Sequence, residues 1–532
     1  MTISWFPRCA VPVTLASLLL AGCSGGGAGA PGSPAPSTAG PAAARPAASS
    51  PGGTDPALAT FYGQRIAWSA CPADESGLQC GKLHVPLDYT HPAADALDLA
   101  LIREPAADAA QKVGSLVVNP GGPGESGVDL VKNAHGDFEG PLHDRFDVVG
   151  FDPRGTGASS PIHCLTDQQR DALDQQDPPA DPTARKALSD QRAKDYAAAC
   201  EAAAGKLLPF VGTRDTARDM DVLRQALGQD KLDYLGISYG TYLGALYAEQ
   251  FPGRTGRLVL DGAIDPAADK LDSNVQQQIG FEKSFERFAA DCVTNHPDEC
   301  PLGSDPATAG KRAADFLDGL RDKPLRTDGS RRLSSTLGWT GTLLFLYGDE
   351  QTSWPQLRRA LTAAMQQGDG SSLLAAADSY NGRDQDGHYN ASDDAQVAIS
   401  CADGASAAPS PARVQQVLAQ LKQGAPLLNS DTAAEDLSSA SCANWPFQSP
   451  EKPHTIRAEG SAPILVIGTT DDPATPYAAA QNLAKGFANA TLLTREGEGH
   501  AAFGSGNACV TQALDAYLVN GTMPAQQTRC AQ

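Results

Sequence analysis

The sequence predicts an α/β fold: a mostly parallel, doubly wound sheet with a helical insertion. Three observations lead there. Short apolar runs ending in Gly, Asp or Asn recur along the chain, as strands buried on both faces of a parallel sheet do. Helical stretches alternate with them, and that alternation implies crossover connections. Over residues 266–455 the alternation stops and helical patterns follow one another, among them FEKSFERFAADCV, ATAGKRAADFLDGL and ARVQQVLAQLKQ. The 532 residues suffice for about three ordinary domains or for one large α/β domain with an insertion.

Taken in order, the chain begins with MTISWFPR, whose one basic residue is Arg8. The apolar run that follows, CAVPVTLASLLLAG, is about 14 residues long, too short to span a bilayer. It ends in Leu20-Ala21-Gly22-Cys23, small residues before a cysteine, as in a bacterial lipobox. Residues 1–22 are therefore expected to be a lipoprotein-type signal, with diacylglycerol attached at Cys23. Two acyl chains anchor stably where one does not. An ordinary secretory signal with an incidental cysteine is the alternative. Residues 23–58, mostly Gly, Ala, Pro and Ser, cannot bury a core and read as a flexible tether. No later run is apolar and long enough for a transmembrane helix. The expected location is the outer face of the cell membrane, or the medium. Lys and Arg number 41 against 62 Asp and Glu, a net charge of −21. Such a chain lacks the broad basic surface that nucleic-acid backbones require. Membrane contact is expected only through Cys23, and the protein is expected to be a monomer.

The folded part is expected as a first core segment (59–265), the helical insertion (266–455) and a second core segment (456–532). Strands are read at LHVPLDY (83–89), LDLALIRE (97–104), GSLVVNP (114–120), FDVVGFD (146–152), KLDYLGIS (231–238), RLVLDG (257–262), APILVIG (462–468) and TLLTRE (491–496). Helices are read at 216–228, 239–251 and 477–487. Twelve cysteines agree with export: beyond Cys9 and Cys23 an even ten remain, in a compartment that permits disulfides. Nearest-neighbour pairing gives Cys71–Cys80, Cys164–Cys200, Cys292–Cys300, Cys401–Cys442 and Cys509–Cys530, although sequence alone leaves connectivity open.

Residues 236–240 read G-x-S-x-G, with Ser238 at the centre. A strand-like run precedes it and a helix-like segment with small residues follows. A serine on so sharp a turn holds its hydroxyl out, and the flanking glycines let helix and strand approach closely. That hydroxyl is a poor nucleophile until a base takes its proton. Of the histidines after Ser238, only His500, in EGEGHAAF, follows a late strand. His296, His388 and His454 read as solvated loop residues. The acid is expected after the strand PILVIG, at Asp472 rather than Asp471, because Pro473 holds the backbone of Asp472 extended. Oxyanion donors are expected from the backbone N–H of Tyr239 and from the loop Asn119-Pro120-Gly121-Gly122-Pro123-Gly124, with Gly122 as the donor. Arg154, in DPRGTG, is expected to be a buried ion-pair partner.

At these residues the chain resembles a family. NPGGPG, FDPRGTG, GISYG, GTTDDPATP and GHAAF occur in the order seen in secreted bacterial tripeptidyl aminopeptidase-like α/β-hydrolases, relatives of prolyl aminopeptidases. The resemblance spans residues 60–530, including CVTQALDAYLVNGTMP. It implies an α/β-hydrolase fold, with nucleophile, acid and base at Ser238, Asp472 and His500 and an oxyanion loop at Gly122. It also implies release of short peptides, tripeptides first, from free N-termini. Glu125, in GGPGESG, departs from the small residue expected there. An exopeptidase must bind the substrate ammonium, and buried carboxylates suit that task; the candidates are Glu125 and Asp403. No metal or organic cofactor is expected. The alternatives are a carboxylesterase or lipase on the same three residues, a lipid-anchored binding protein, or a catalytically silent relative.

Overall fold

The computed structural model describes residues 56–531 apart from 73–76, 134–137, 139, 405–407, 440–441 and 448. The expected signal, Cys23 and most of the tether lie outside the described residues. The described residues form one ten-stranded sheet: β1 (Ser69–Ala70), β2 (Gln79–Pro86), β3 (Ala96–Glu104), β4 (Gly114–Asn119), β5 (Phe146–Phe151), β6 (Leu232–Ile237), β7 (Thr255–Asp261), β8 (Ile464–Asp471), β9 (Ala490–Glu498) and β10 (Arg529–Cys530). Their order across the sheet is β1-β2-β3-β5-β4-β6-β7-β8-β9-β10. From β5 to β10 the strands run parallel, while β1, β2, β3 and β5 pair antiparallel. The antiparallel end shows in the residues of β2, where exposed His84 sits between buried Leu83 and Val85. That alternation marks a strand with one wet face.

In the parallel strands successive side chains feed two cores. Leu116 and Val118 of β4 and Leu465 and Ile467 of β8 pack on one face, with the helices Gly127–Asn133 and Ala508–Asn520. Val117, Ile464 and Val466 pack on the other, with the helices Thr213–Ala226, Tyr239–Gln250 and Tyr477–Gly486. Both faces are apolar because both are covered, so the strands read as continuous apolar runs. Arg154 lies buried between β5 and the helix Thr213–Ala226. It donates to both oxygens of Asp219, through Nη2 at 2.7 Å, and to the carbonyls of Pro86, Leu87 and Phe210.

The helical residues between β7 and β8 do not act as one unit. Lys270–Asn295, Pro306–Gly319, Ser335–Leu346, Trp354–Thr362 and Ser371–Tyr380 build their own core around Phe285, Phe288, Trp339 and Trp354. The helix Ser392–Ala402 instead shares the main core through Ala395, Ala398 and Ile399. It packs beside two helices that the sequence reading left inside the first core segment, Asp167–Asp174 and Pro182–Ala204. Asp394 ties them together, accepting from Cys164 N–H, Arg170 and Tyr196. All five nearest-neighbour cysteine pairs are disulfides.

Candidate active site

The carboxyl ends of β4, β6, β7, β8 and β9 meet at one edge of the sheet, where open α/β sheets bind ligands. Ser238 follows β6. Its backbone, φ 55° and ψ −123°, lies outside the ordinary regions for an L-residue. Packing enforces the turn: a Cβ on Gly236 would come within 2.3 Å of the Gly240 carbonyl oxygen and 2.5 Å of the Tyr234 ring. Ser238 N–H donates to the carbonyl of Asp261 at 2.9 Å. Its Oγ is buried and finds no hydrogen-bond partner among the described residues. A buried hydroxyl so placed is uncommon unless a ligand completes it.

Asp472 follows β8, and His500 lies two residues beyond β9. His500 Nδ1 is 2.9 Å from each carboxylate oxygen of Asp472, with side chains 3% and 0% exposed. Asp472 also accepts from Ala474 N–H, Thr475 N–H, the Thr475 hydroxyl and Ala501 N–H, at 2.8–3.1 Å. These donors fix the position of the carboxylate. Asp471, the rejected alternative, is half-exposed and lies 3.4 Å from Arg287. His296, His388 and His454 sit elsewhere, partly exposed, beside Asp291, Asp167 and Glu249.

The loop 119–124 reaches the turn at Ser238. A Cβ on Gly121, whose φ is +106°, would lie 2.6 Å from the Ile237 carbonyl, 2.9 Å from Ser238 Cβ and 3.0 Å from Tyr239 N. Only glycine lets this backbone, with that of Gly122 next to it, come so near. On its far side a Cβ on Gly124 would meet the Ser392 carbonyl at 2.5 Å, so the helix Ser392–Ala402 backs the loop. Glu125 is half-buried beside it. Asp403, the other expected ammonium ligand, serves a contact inside the protein: its oxygens accept from Thr213 N–H at 2.6 Å and from the Thr213 hydroxyl at 2.5 Å. Burial pushes its carboxyl up to about 6.

Three groups went unseen in the sequence. Thr475 donates to Asp472 and lies 3.2 Å from His500 Nδ1; its place in DDPATP gave the only hint. Asp261, at the end of β7, accepts from Ala502 N–H and Phe503 N–H at 2.6–3.1 Å. Since its carbonyl also takes Ser238 N–H, one residue ties the turn to the histidine loop. Its burial lifts the carboxyl to about 6. Tyr347, from the helical insertion, accepts from His500 N–H at 2.8 Å and sets its ring edge-on to the imidazole at 5.6 Å. The same insertion holds the acid loop, with Gln277 donating to the Ala474 carbonyl at 2.9 Å.

A buried carboxylate holding an imidazole, beside a serine on a strained turn, is the arrangement that activates a hydroxyl for acyl transfer. Residues 114–506 match the alpha/beta hydrolase fold family. The chain is 39% identical over 488 residues to the serine protease Hip1 of Mycobacterium tuberculosis, covering 88% of this chain and 91% of that one. It is 38% identical over 482 residues to carboxylesterase B of Mycobacterium tuberculosis, covering 87% and 90%. To the tripeptidyl aminopeptidase of Streptomyces lividans it is 31% identical over 483 residues, covering 88% and 86%.

Proposed function

The chain belongs to the α/β-hydrolase family, and from that premise we propose that it is an exported serine exopeptidase releasing short peptides, tripeptides first, from free N-termini. The observation that supports this best is the buried Asp472–His500 pair at the same strand ends as Ser238, with Asp261 tying the Ser238 turn to the histidine loop. Ser238 attacks the peptide carbonyl while His500 Nε2 takes its proton. Asp472 holds Nδ1–H and stabilises the imidazolium. The N–H groups of Tyr239 and Gly122 hold the oxyanion. His500 then gives its proton to the departing amine and activates the water that releases the acyl group. The hydrogen bond from Ser238 Oγ to His500 forms with substrate bound, as such bonds often tighten only then. Glu125, at the rim of the oxyanion loop, is the proposed partner of the substrate ammonium.

Export is supported by the five disulfides. Among the described residues no helix is long and apolar enough to cross a membrane, and Cys23 is the proposed anchor. Palmitate labelling that disappears in Cys23→Ala is the expected result, and labelling that persists contradicts the anchor. A second reading, carboxylesterase, is favoured by the relative of that name at nearly the same identity. Turnover of a tripeptide anilide with a free N-terminus against its N-acetylated form separates the two. A peptidase that reads the ammonium prefers the free form. Equal turnover of the two, with faster hydrolysis of simple esters, supports the esterase.

A further inference from the structure

Both flanks of the oxyanion site lead to the same helix. The N-terminal end of Ser392–Ala402 backs the loop at Gly124. Its C-terminal end leads to Asp403, which accepts both hydrogens that Thr213 offers, from N–H at 2.6 Å and from Oγ1 at 2.5 Å. Thr213 Oγ1 is in turn hydrogen-bonded to the hydroxyl of Tyr239. Because Thr213 spends its single hydroxyl hydrogen on the Asp403 carboxylate, the phenol must be the donor. Direction therefore runs one way, from Tyr239 through Thr213 to Asp403. The hydroxyl pair sits where water competes little: Thr213 is fully buried and Tyr239 is 5% exposed, while Asp403 is only partly covered. Lys270 closes the far end, donating to the carbonyls of Ser400 and Gly404 and holding the last turn of the helix in place.

Tyr239 is the residue after Ser238 and the first of the helix Tyr239–Gln250. A tether on its side chain is thus a tether on the N–H that faces the developing charge. We propose, resting on the acyl-transfer reading above, that Thr213 and Asp403 are positioning residues for the oxyanion site, aiming Tyr239 N–H through its hydroxyl. This assigns Asp403 a role in transition-state geometry in place of the substrate ammonium. It also gives a use to the hydroxyl of a threonine at a fully buried helix start.

The interaction acts only when the carbonyl oxygen becomes charged, so its loss lowers kcat and leaves KM alone. Removing an oxyanion donor costs about 10²–10³-fold, and loosening one without removing it is expected to cost about tenfold. The test uses the full chain with Thr213→Val, Tyr239→Phe, the double variant and Thr213→Ser. Two rates are read: hydrolysis of a tripeptide anilide, and labelling by a fluorophosphonate, whose phosphoryl oxygen needs the same donors whatever the natural substrate. Thr213→Val and Tyr239→Phe are expected to slow both about tenfold with KM within twofold, and the double variant to be no slower than either single one. Thr213→Ser, which keeps the hydroxyl, is expected to recover most of the rate. Unchanged rates in Thr213→Val, or a raised KM with kcat held, overturn the proposal. Should Thr213→Val fail to fold, Tyr239→Phe cuts the same bond from its other end and decides alone. If wild type is labelled but does not cleave the anilide, the exopeptidase reading fails while the labelling rates still judge the tether.

Discussion

Replacing Asp472 by Asn keeps the side-chain shape and removes its charge. Asp472 Oδ1 takes two rigid backbone donors, Ala474 N–H at 2.9 Å and Thr475 N–H at 2.8 Å. The oxygen of an Asn therefore settles there, and its NH2 group takes the place of Oδ2. That group can donate to Thr475 Oγ1 once the hydroxyl rotates, but it turns a donor toward His500 Nδ1 and leaves Ala501 N–H unpaired. The imidazole then carries its proton on Nε2, the atom that must accept one from Ser238. The lost charge can be sized as well. At 2.9 Å and an effective dielectric constant near 20, a carboxylate stabilises an imidazolium by about 6 kcal/mol, or about 10⁴-fold in rate. Steady-state hydrolysis of a tripeptide anilide is expected to show that loss in kcat, with KM nearly unchanged. Asp471→Asn weakens a half-exposed contact to Arg287 and a hydrogen bond from the neighbouring Thr470 hydroxyl, and is expected to stay within about threefold of wild type. A variant at Asp472 that keeps a tenth of wild-type kcat, or an Asp471 variant that loses as much, refutes the reasoning.

Other consequences are open to direct measurement. Thr475→Val removes a hydrogen-bond donor to the Asp472 carboxylate and is expected to cut kcat about tenfold or more, the worth of one such bond; unchanged kinetics contradict it. Gly236→Ala sets a Cβ 2.3 Å from a backbone oxygen and is expected to cost at least about 3 kcal/mol in urea unfolding. Asp261 titrates in the folded protein near 6, against an ordinary 3.8. Its raised pKa contributes stability that is complete below pH 3.8 and lost as pH rises through 6. Asp261→Asn does not titrate, so wild type is expected to lose about 2 kcal/mol relative to the variant between pH 4 and 7. Parallel stability curves for the two proteins contradict that.

How far the sequence reaches depends on whether a feature is local. The eight strands read from the sequence all appear within a few residues: the parallel ones because strands covered on both faces are apolar throughout, β2 and β3 because their apolar residues alternate with polar ones. The turn at Ser238 is legible in part because Gly236 is forced by Tyr234 and Gly240, a few residues away, although Gly240 is forced by the distant Asn119. The helices Asp167–Asp174 and Pro182–Ala204 were not, for a physical reason: the first buries no residue and the second only Arg185, Ala197 and Cys200, so neither has an apolar stripe to read. Asp471 and Asp472 differ in sequence only by the following proline; five hydrogen-bond donors separate them, two of which, His500 Nδ1 and Ala501 N–H, come within reach only after folding. Asp403 is expected from the sequence as a candidate ammonium ligand, and its contact inside the protein is not visible there. Its partner Thr213 lies 190 residues away, where no local pattern can reach. Asp261 passed for an ordinary strand end for the same reason, its partners being 241 and 242 residues distant.

The proposed acyl transfer requires Ser238 to become acylated. Mass spectrometry of the protein treated with a fluorophosphonate, digested and mapped, tests this most directly. One adduct on the peptide that carries Ser238, absent in Ser238→Ala and strongly slowed in His500→Ala, is the predicted result. An adduct on another residue, or full labelling of Ser238→Ala, contradicts it.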